Sequence, residues 1–254
     1  MKILVDTMQI KSSERSKPSE IGIESAAQEF EDFIYLISHD VRNSVRALIE
    51  VPQWIQEDLE AEGIHVHGSL AENIDLMNVH TRRLDRMLID LLIYSRIGRM
   101  QSNELIEWEG VTDGVMDQIK IPDTFKVLRD FRAPQFRIGS TDALTLVSSL
   151  LSNAVKHHDC GRGVIHLSTH ERDGRHVFTV RDDGPGIPLA YREKAFEVMT
   201  TLRPRDEIEG SGMGLANVRK IVKLYGGKID WLTTEESRGC HISISFPCTR
   251  PAIH

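Results

Sequence analysis

Long apolar runs are missing from this chain. The longest, such as Phe33 to Ile37, are a handful of residues, whereas a helix that crosses a bilayer needs about 20. No membrane span is therefore expected. Cysteine is scarce as well: Cys160, Cys240 and Cys248 are odd in number and lack C-x-x-C spacing, which argues against a disulfide framework and a zinc site and leaves them as reduced bystanders. An excess of basic charge is also absent. With 31 Lys and Arg against 38 Asp and Glu, the net charge of −7 disfavours a nucleic-acid partner. The first residues, Met1 to Asp6, have no long apolar region or small-residue cleavage site, so a secretory signal is not expected and the protein reads as cytoplasmic.

What is present is a balanced chain of 254 residues, 40% hydrophobic, enough for one large or two small domains with a sizeable core. Residues 1–25 mix Ser, Lys and Glu around Pro18 without an apolar period, and read as a flexible leader rather than a sensing domain. From Phe30, apolar positions recur in steps of three and four: Ile34, Ile37, Val41, Val45, Leu48, Ile55 and Leu59. This is a long helix with a packed seam, and Pro52 is expected to bend it. After a turn-like stretch, Leu70, Ile74, Met77, Thr81, Leu84, Leu88, Leu91 and Ser95 repeat in the same way and mark a second long helix. Two such helices make an antiparallel hairpin that cannot bury its own seam. Pairing two hairpins into a dimeric four-helix bundle solves that, in preference to packing on the rest of the same chain.

The polar stretch from Gly98 to Glu104 breaks the heptads, and residues 99–106 are placed as a linker. Beyond it, Val164 to Thr169 with Val177 to Val180, and Lys228 to Leu232 with His241 to Phe246, read as two β-hairpins. Helices are expected at Asp142 to His157 and at Gly214 to Tyr225, the latter ending at Gly226-Gly227. The whole is α+β: a hairpin over 26–98 followed by an α/β sandwich over 107–250.

Three clusters in the second part point to a nucleotide. Gly210-Ser211-Gly212-Met213-Gly214-Leu215 sets three glycines at alternate positions just before a helix, where free backbone N–H groups and the helix N-terminus suit a polyphosphate. Alone this is weak, since most glycine-rich loops are plain connectors. Asn153, Lys156 and His157, spaced at i, i+3 and i+4, put an amide oxygen, an ammonium and an imidazole on one helix face, fit for Mg²⁺ and phosphates or simply a solvated edge. Asp182-Asp183-Gly184-Pro185-Gly186 follows a strand and offers a carboxylate among glycines, or an ordinary turn.

Together these residues resemble the ATP-binding domain of sensor histidine kinases of two-component systems. Ser152-Asn153-Ala154-Val155-Lys156-His157 is similar to the N box, Asp182-x-Gly184-x-Gly186 to the G1 box, Phe196 and its neighbours to the F box, and Gly210-x-Gly212-x-Gly214-Leu215 to the G2 box. The resemblance implies ATP and Mg²⁺ as cofactors, with Asn153 on the metal, Asp182 accepting the adenine amino hydrogen, and Lys156 and the G2 glycines on the phosphates. The segment between Phe196 and Gly210 becomes an ATP lid, in which Arg203 and Arg205 suit charge-assisted contacts with the γ-phosphate.

The first helix selects the reaction. Ser38-His39-Asp40-Val41-Arg42-Asn43 resembles the H box, whose histidine is the nucleophile. With Ile37 and Val41 on the seam, His39 falls nearly opposite it and is expected to be accessible. Neutral imidazole attacks with one nitrogen while the other donates a hydrogen bond. By the resemblance, Asp40 is the orienting or general-base residue, and Asn43, one turn on, orients water in a phosphatase reaction. The partner implied is the receiver domain of a response regulator, whose aspartate takes the phosphoryl group, and a separate sensor protein supplies the input. Ser44 stands where the family commonly has proline, which leaves the kinase-to-phosphatase balance open. Rival readings are a non-catalytic dimeric phosphotransfer scaffold and an ATP-driven conformational protein related to chaperones. The latter needs a water-activating base, and no such base is identified in the nucleotide domain.

Overall fold

The computed structural model describes residues 20–99, 101–202, 210–232 and 238–248; for 20–31 and several further positions up to His39 it describes the backbone alone. Two helices open the chain, α1 (Glu20–Ala61) and α2 (Ser69–Arg96). The first begins inside the stretch expected to be a leader, and Pro52 lies within it without ending it. α1 stops where Ile64 N–H bonds to Leu59 O at 2.8 Å and Gly63 N–H to Glu60 O at 3.0 Å, which reverses the chain. The helices then lie antiparallel, with Val45, Ile74, Leu88 and Leu92 buried and Arg42 paired with Asp85 at 3.2 Å. Among the described residues, no helix is long and apolar enough to cross a membrane.

The remainder runs β1 (Asn103–Glu107), α3 (Trp108–Ile119), β2 (Phe125–Phe131), β3 (Gln135–Gly139), α4 (Ser140–Lys156), β4 (Gly163–Arg172), β5 (Arg175–Asp182), two short 3₁₀ turns, α5 (Gly214–Leu224), β6 (Lys228–Trp231) and β7 (His241–Pro247). β2, β4, β5, β7 and β6 form a sheet in that order, in which only the β2–β4 pair is parallel, while β1 and β3 make a small antiparallel pair. Both expected β-hairpins are present. β1 takes up residues 103–106, half of the stretch expected to be a linker.

α4 explains how the layers close. Its residues Ala143, Leu146, Val147, Leu150, Leu151 and Ala154 are buried, a stripe at helical spacing that packs with α5 over Ile165, Leu167, Phe178, Ile244 and Phe246 of the sheet. Each fully buried large side chain of this kind contributes about 1.5–3 kcal/mol. Under the sheet's other end, the fully buried Trp108 donates its indole N–H to His176 Nε2 at 2.8 Å and lies 4.6 Å from the Phe178 ring. A polar node joins the hairpin to this domain. Asp142, buried in the first turn of α4, accepts Gly98 N–H at 3.2 Å and Tyr225 O–H at 2.8 Å, and the same Tyr225 oxygen accepts Gly139 N–H at 3.0 Å. Beside it, Lys220 of α5 donates to Tyr94 O at 2.8 Å and sits 4.4 Å from the Tyr94 ring centroid.

Candidate nucleotide-binding site

The face of α4 turned away from the sheet borders a cavity of about 580 Å³, closed by the loops after β5 and before α5, and on one side by α2. Asn153, Lys156, His157, Asp182, Gly186, Gly210, Gly212, Gly214 and Leu215 all line it. Three motifs that lie far apart along the chain thus share one wall. Gly184 is not on that wall but donates its N–H to Asp182. Arg203 and Arg205 lie outside the described residues. His39, Asp40 and Asn43 are on α1; Asp40 and Asn43 do not line this cavity, and Asn43 borders a smaller groove between α1 and α2 with Arg42 and Arg46. The side chain of His39 is outside the described residues, while Ile37 and Val41 are exposed in the single chain.

Asp182 is the fixed point. It ends β5, is 8% exposed, and its Oδ1 accepts Gly184 N–H at 3.0 Å and Cys240 N–H at 3.1 Å. Burial raises its pKa against the opposing effect of those two amides. With Oδ1 saturated, Oδ2 is the oxygen left to accept a ligand N–H, as an adenine amino group requires. The backbone around it is packed too closely for side chains. A Cβ on Gly239, at φ 89°, falls 1.9 Å from Asp182 O, and one on Gly186 falls 2.9 Å from Gly239 O. Cys240 borders the same end, and burial together with Asp182 pushes its thiol up to about 12, so it stays protonated.

The other end suits phosphate. Gly212 has φ 76° and its Cβ would meet Thr200 O at 2.5 Å, so this loop shape excludes other residues. Among the described residues nothing lies within 4 Å of a Cβ at Gly210, so packing against them does not explain it. Asn153 is half-buried at the last turn of α4, and its side chain makes no hydrogen bond among the described residues. The Oδ1 of Asn217, buried on α5 in the cavity wall, is likewise unpartnered, an acceptor in need of a ligand or water. A free carboxylate oxygen, two open amides, an exposed Lys156 and a loop of available N–H groups fit ATP with Mg²⁺.

Several contributors were not legible in the sequence. His158 packs edge-on to Phe125, accepts Cys160 N–H at 3.2 Å on Nδ1 and faces Asp183 at 3.1 Å with Nε2, which fixes the loop behind Asp182. Although slightly desolvated, the Asp183 carboxyl is held below its ordinary range by Val164 N–H and His158. Arg238 ties Asp159 at 2.6 Å to Asp183 O at 2.8 Å. From α2, Arg86 and Asp90 reach the cavity, although heptad spacing marks that helix only as half of a hairpin.

Comparison with known proteins matches residues 139–250 to the family described as histidine kinase-, DNA gyrase B- and HSP90-like ATPases. The match covers 112 of the 254 residues and makes this part of the chain similar to those ATPases. The chain is 28% identical over 231 residues to the methanogenesis regulatory histidine kinase FilI of Methanothrix harundinacea, covering 89% of this chain and 25% of that protein. It is 26% identical over 232 residues to cyanobacterial phytochrome A of a Nostoc species, covering 89% and 29%. The chain therefore spans between a quarter and a third of the length of these relatives. Among solved structures, full-length ShkA in complex with AMPPNP has the same fold, with a TM-score of 0.64 at 19% identity over 87% of this chain and 47% of that one. The mycobacterial sensor histidine kinase MprB matches with a TM-score of 0.50 at 26% identity, over 59% of this chain and 99% of that one. The coverage by FilI, cyanobacterial phytochrome A and ShkA, 87–89% of this chain, takes in residues outside 139–250 as well.

Proposed function

We propose that the chain is a protein-histidine kinase that phosphorylates its own His39 from ATP and passes the phosphoryl group to an aspartate on the receiver domain of a response regulator. The observation that carries this reading is the convergence of Asn153, Asp182 and the Gly210–Gly214 loop on one cavity, in a chain whose first helix bears His39. Asp182 Oδ2 accepts the adenine amino hydrogen, and the Gly212 loop and Lys156 hold the phosphates. Asn153 holds Mg²⁺, which neutralises charge on the phosphate oxygens when bound.

A neutral imidazole nitrogen of His39 attacks the γ-phosphorus as the bond to the ADP oxygen breaks, and Asp40 orients the ring or takes its proton. Because neither Asp40 nor Asn43 lines the cavity, the ATPase domain moves over the hairpin before transfer. The same helix then docks the receiver domain, and in the phosphatase reaction Asn43 orients a water that attacks the phosphoaspartate, releasing inorganic phosphate and the free aspartate. The working unit in this reading is a cytoplasmic homodimer that takes its input from a separate sensor protein.

The test is incubation of the purified chain with γ-labelled ATP and Mg²⁺, comparing wild type with His39→Gln. Acid-labile, alkali-stable label present in wild type and lost in His39→Gln is the expected result. Label that survives this substitution rejects His39 as the acceptor.

A further inference from the structure

One guanidinium ties together the segments that surround Asp182. Arg238 stands two residues before Cys240, at the entry to β7, and its side chain reaches back across the turn after β5. Its Nε donates to Asp183 O at 2.8 Å, and its Nη2 donates to Asp159 Oδ1 at 2.6 Å in the loop after α4, with Cys160 Sγ 3.6 Å from the same nitrogen. A guanidinium suits this task, because its donors lie in a fixed plane and can hold acceptors from two segments at once.

The residues that follow Arg238 bear directly on the cavity. Gly239 lies so close to Asp182 that a Cβ would fall 1.9 Å from Asp182 O. Cys240 exchanges two bonds with Asp182: Asp182 N–H goes to Cys240 O at 3.0 Å, and Cys240 N–H goes to Asp182 Oδ1 at 3.1 Å. The second bond occupies Oδ1 and leaves Oδ2 for a ligand. Arg238 therefore anchors the backbone that orients the carboxylate, although neither Arg238 nor its acceptors Asp159 and Asp183 line the cavity.

We propose that Arg238 is a positioning residue for purine recognition: by fastening the Gly239–Cys240 backbone to Asp183 and Asp159, it sets the Asp182 carboxylate at the angle that accepts the amino hydrogen of adenine. This inference rests on the ATP-binding reading of the cavity and deepens it at the base end.

Two features make the effect local. The Arg238 and Asp159 side chains are 54% and 37% exposed, and exposed ion pairs contribute little to global stability. The turn after β5 also has its own supports, since Asp183 Oδ1 accepts Val164 N–H at 2.8 Å and faces His158 Nε2 at 3.1 Å. Loss of Arg238 thus frees the segment before β7 and leaves the turn in place. The hydrogen bonds of Arg238 do not extend to Asn153, Lys156 or the Gly210–Gly214 loop, so the phosphate end is untouched.

The experiment is calorimetric titration of the full chain with two nucleotides in the presence of Mg²⁺: ATP, and the triphosphate of purine riboside, which has hydrogen in place of the amino group. Wild type is expected to prefer ATP. Arg238→Ala should bind ATP about tenfold more weakly and purine riboside triphosphate less than twofold more weakly, so that the preference collapses. Arg238→Lys keeps the charge but not the planar fork, and is expected to resemble Arg238→Ala. Asp159→Ala falls between wild type and Arg238→Ala, and adding it to Arg238→Ala changes nothing further, because both remove the same anchor. Thermal unfolding of each variant is expected within about 2 °C of wild type. Unchanged ATP affinity in Arg238→Ala overturns the proposal. An equal loss for both nucleotides overturns it by showing an effect on the whole cavity, and full activity of Arg238→Lys in binding overturns it by showing that charge alone acts. A wild-type chain that binds neither nucleotide instead rejects the ATP reading, and the role of Arg238 falls with it.

Discussion

At the scale of single residues, the cavity shows how much depends on atoms already spoken for. Asp182 is useful because two backbone amides saturate one of its oxygens, and the glycines around it matter because Gly239 and Gly186 leave no room for a Cβ. The carboxylate and its flanking glycines are legible in the sequence; Gly239 and Cys240 are not, because they come from a loop almost sixty residues further on. His176 is another residue that only the fold reveals. It is 1% exposed, accepts the Trp108 indole N–H through Nε2, and burial, with a smaller contribution from His170, lowers its pKa to about 4. An ordinary histidine of an unfolded chain titrates near 6.5. The folded value is depressed, so the unfolded chain binds more protons between those limits. The contribution is fully present above about pH 6.5 and disappears as pH falls toward 4. A gap of this size corresponds to about 3 kcal/mol. Chemical denaturation at pH 7 and pH 4.5 is expected to show a clearly smaller loss of stability for His176→Phe than for wild type. Equal losses in the two proteins would mean that His176 is not held neutral.

At the scale of elements, legibility follows length and period. α1, α2, α4 and α5 carry amphipathic stripes over many turns, and the two β-hairpins carry alternation around turn residues, so both types are readable. In the stretch holding β1, α3, β2 and β3 the signal is shorter: α3 sets Trp108, Val111, Val115 and Ile119 at helical spacing over only about three turns. β1 and β3 are five residues each, and β2 joins the sheet by parallel pairing to β4, with no turn to announce it. Nor does sequence show that the polar stretch after α2 is anchored. Ile97 is buried, and Gly98 N–H is bound to Asp142, which also takes Tyr225 O–H. Asp142→Ala leaves that N–H and that hydroxyl without their acceptor, at a cost of about 2–4 kcal/mol, and Tyr225→Phe, which removes the donor to Asp142 and the acceptor of Gly139 N–H, costs about 1–3 kcal/mol. Urea unfolding of the two variants and the double variant checks this: the double variant should lose less than the sum of the singles, because both remove the same bond. Additive losses would place Asp142 and Tyr225 in separate interactions.

At the scale of the whole molecule, a single chain leaves its heptads half used. Val45, Ile74, Leu88 and Leu92 are buried between α1 and α2, but Val41, Leu48 and Ile55 on α1 and Leu70, Met77 and Leu84 on α2 are 38–52% exposed. Each set repeats every seven residues, so each helix presents a continuous apolar stripe. Stripes of this length left in water favour association, and a second hairpin offers a matching surface of the same period. Sedimentation of the wild-type chain at micromolar concentration is expected to give twice the mass of one chain. Leu48→Glu and Met77→Glu, which place a charge in the centre of each stripe, should each sediment as single chains while still binding ATP, because the cavity that holds Asn153 and Asp182 is built within one chain. Loss of nucleotide binding together with the dimer would show that the second chain supports the site, and a wild-type protein that sediments as one chain would require another cover for these stripes.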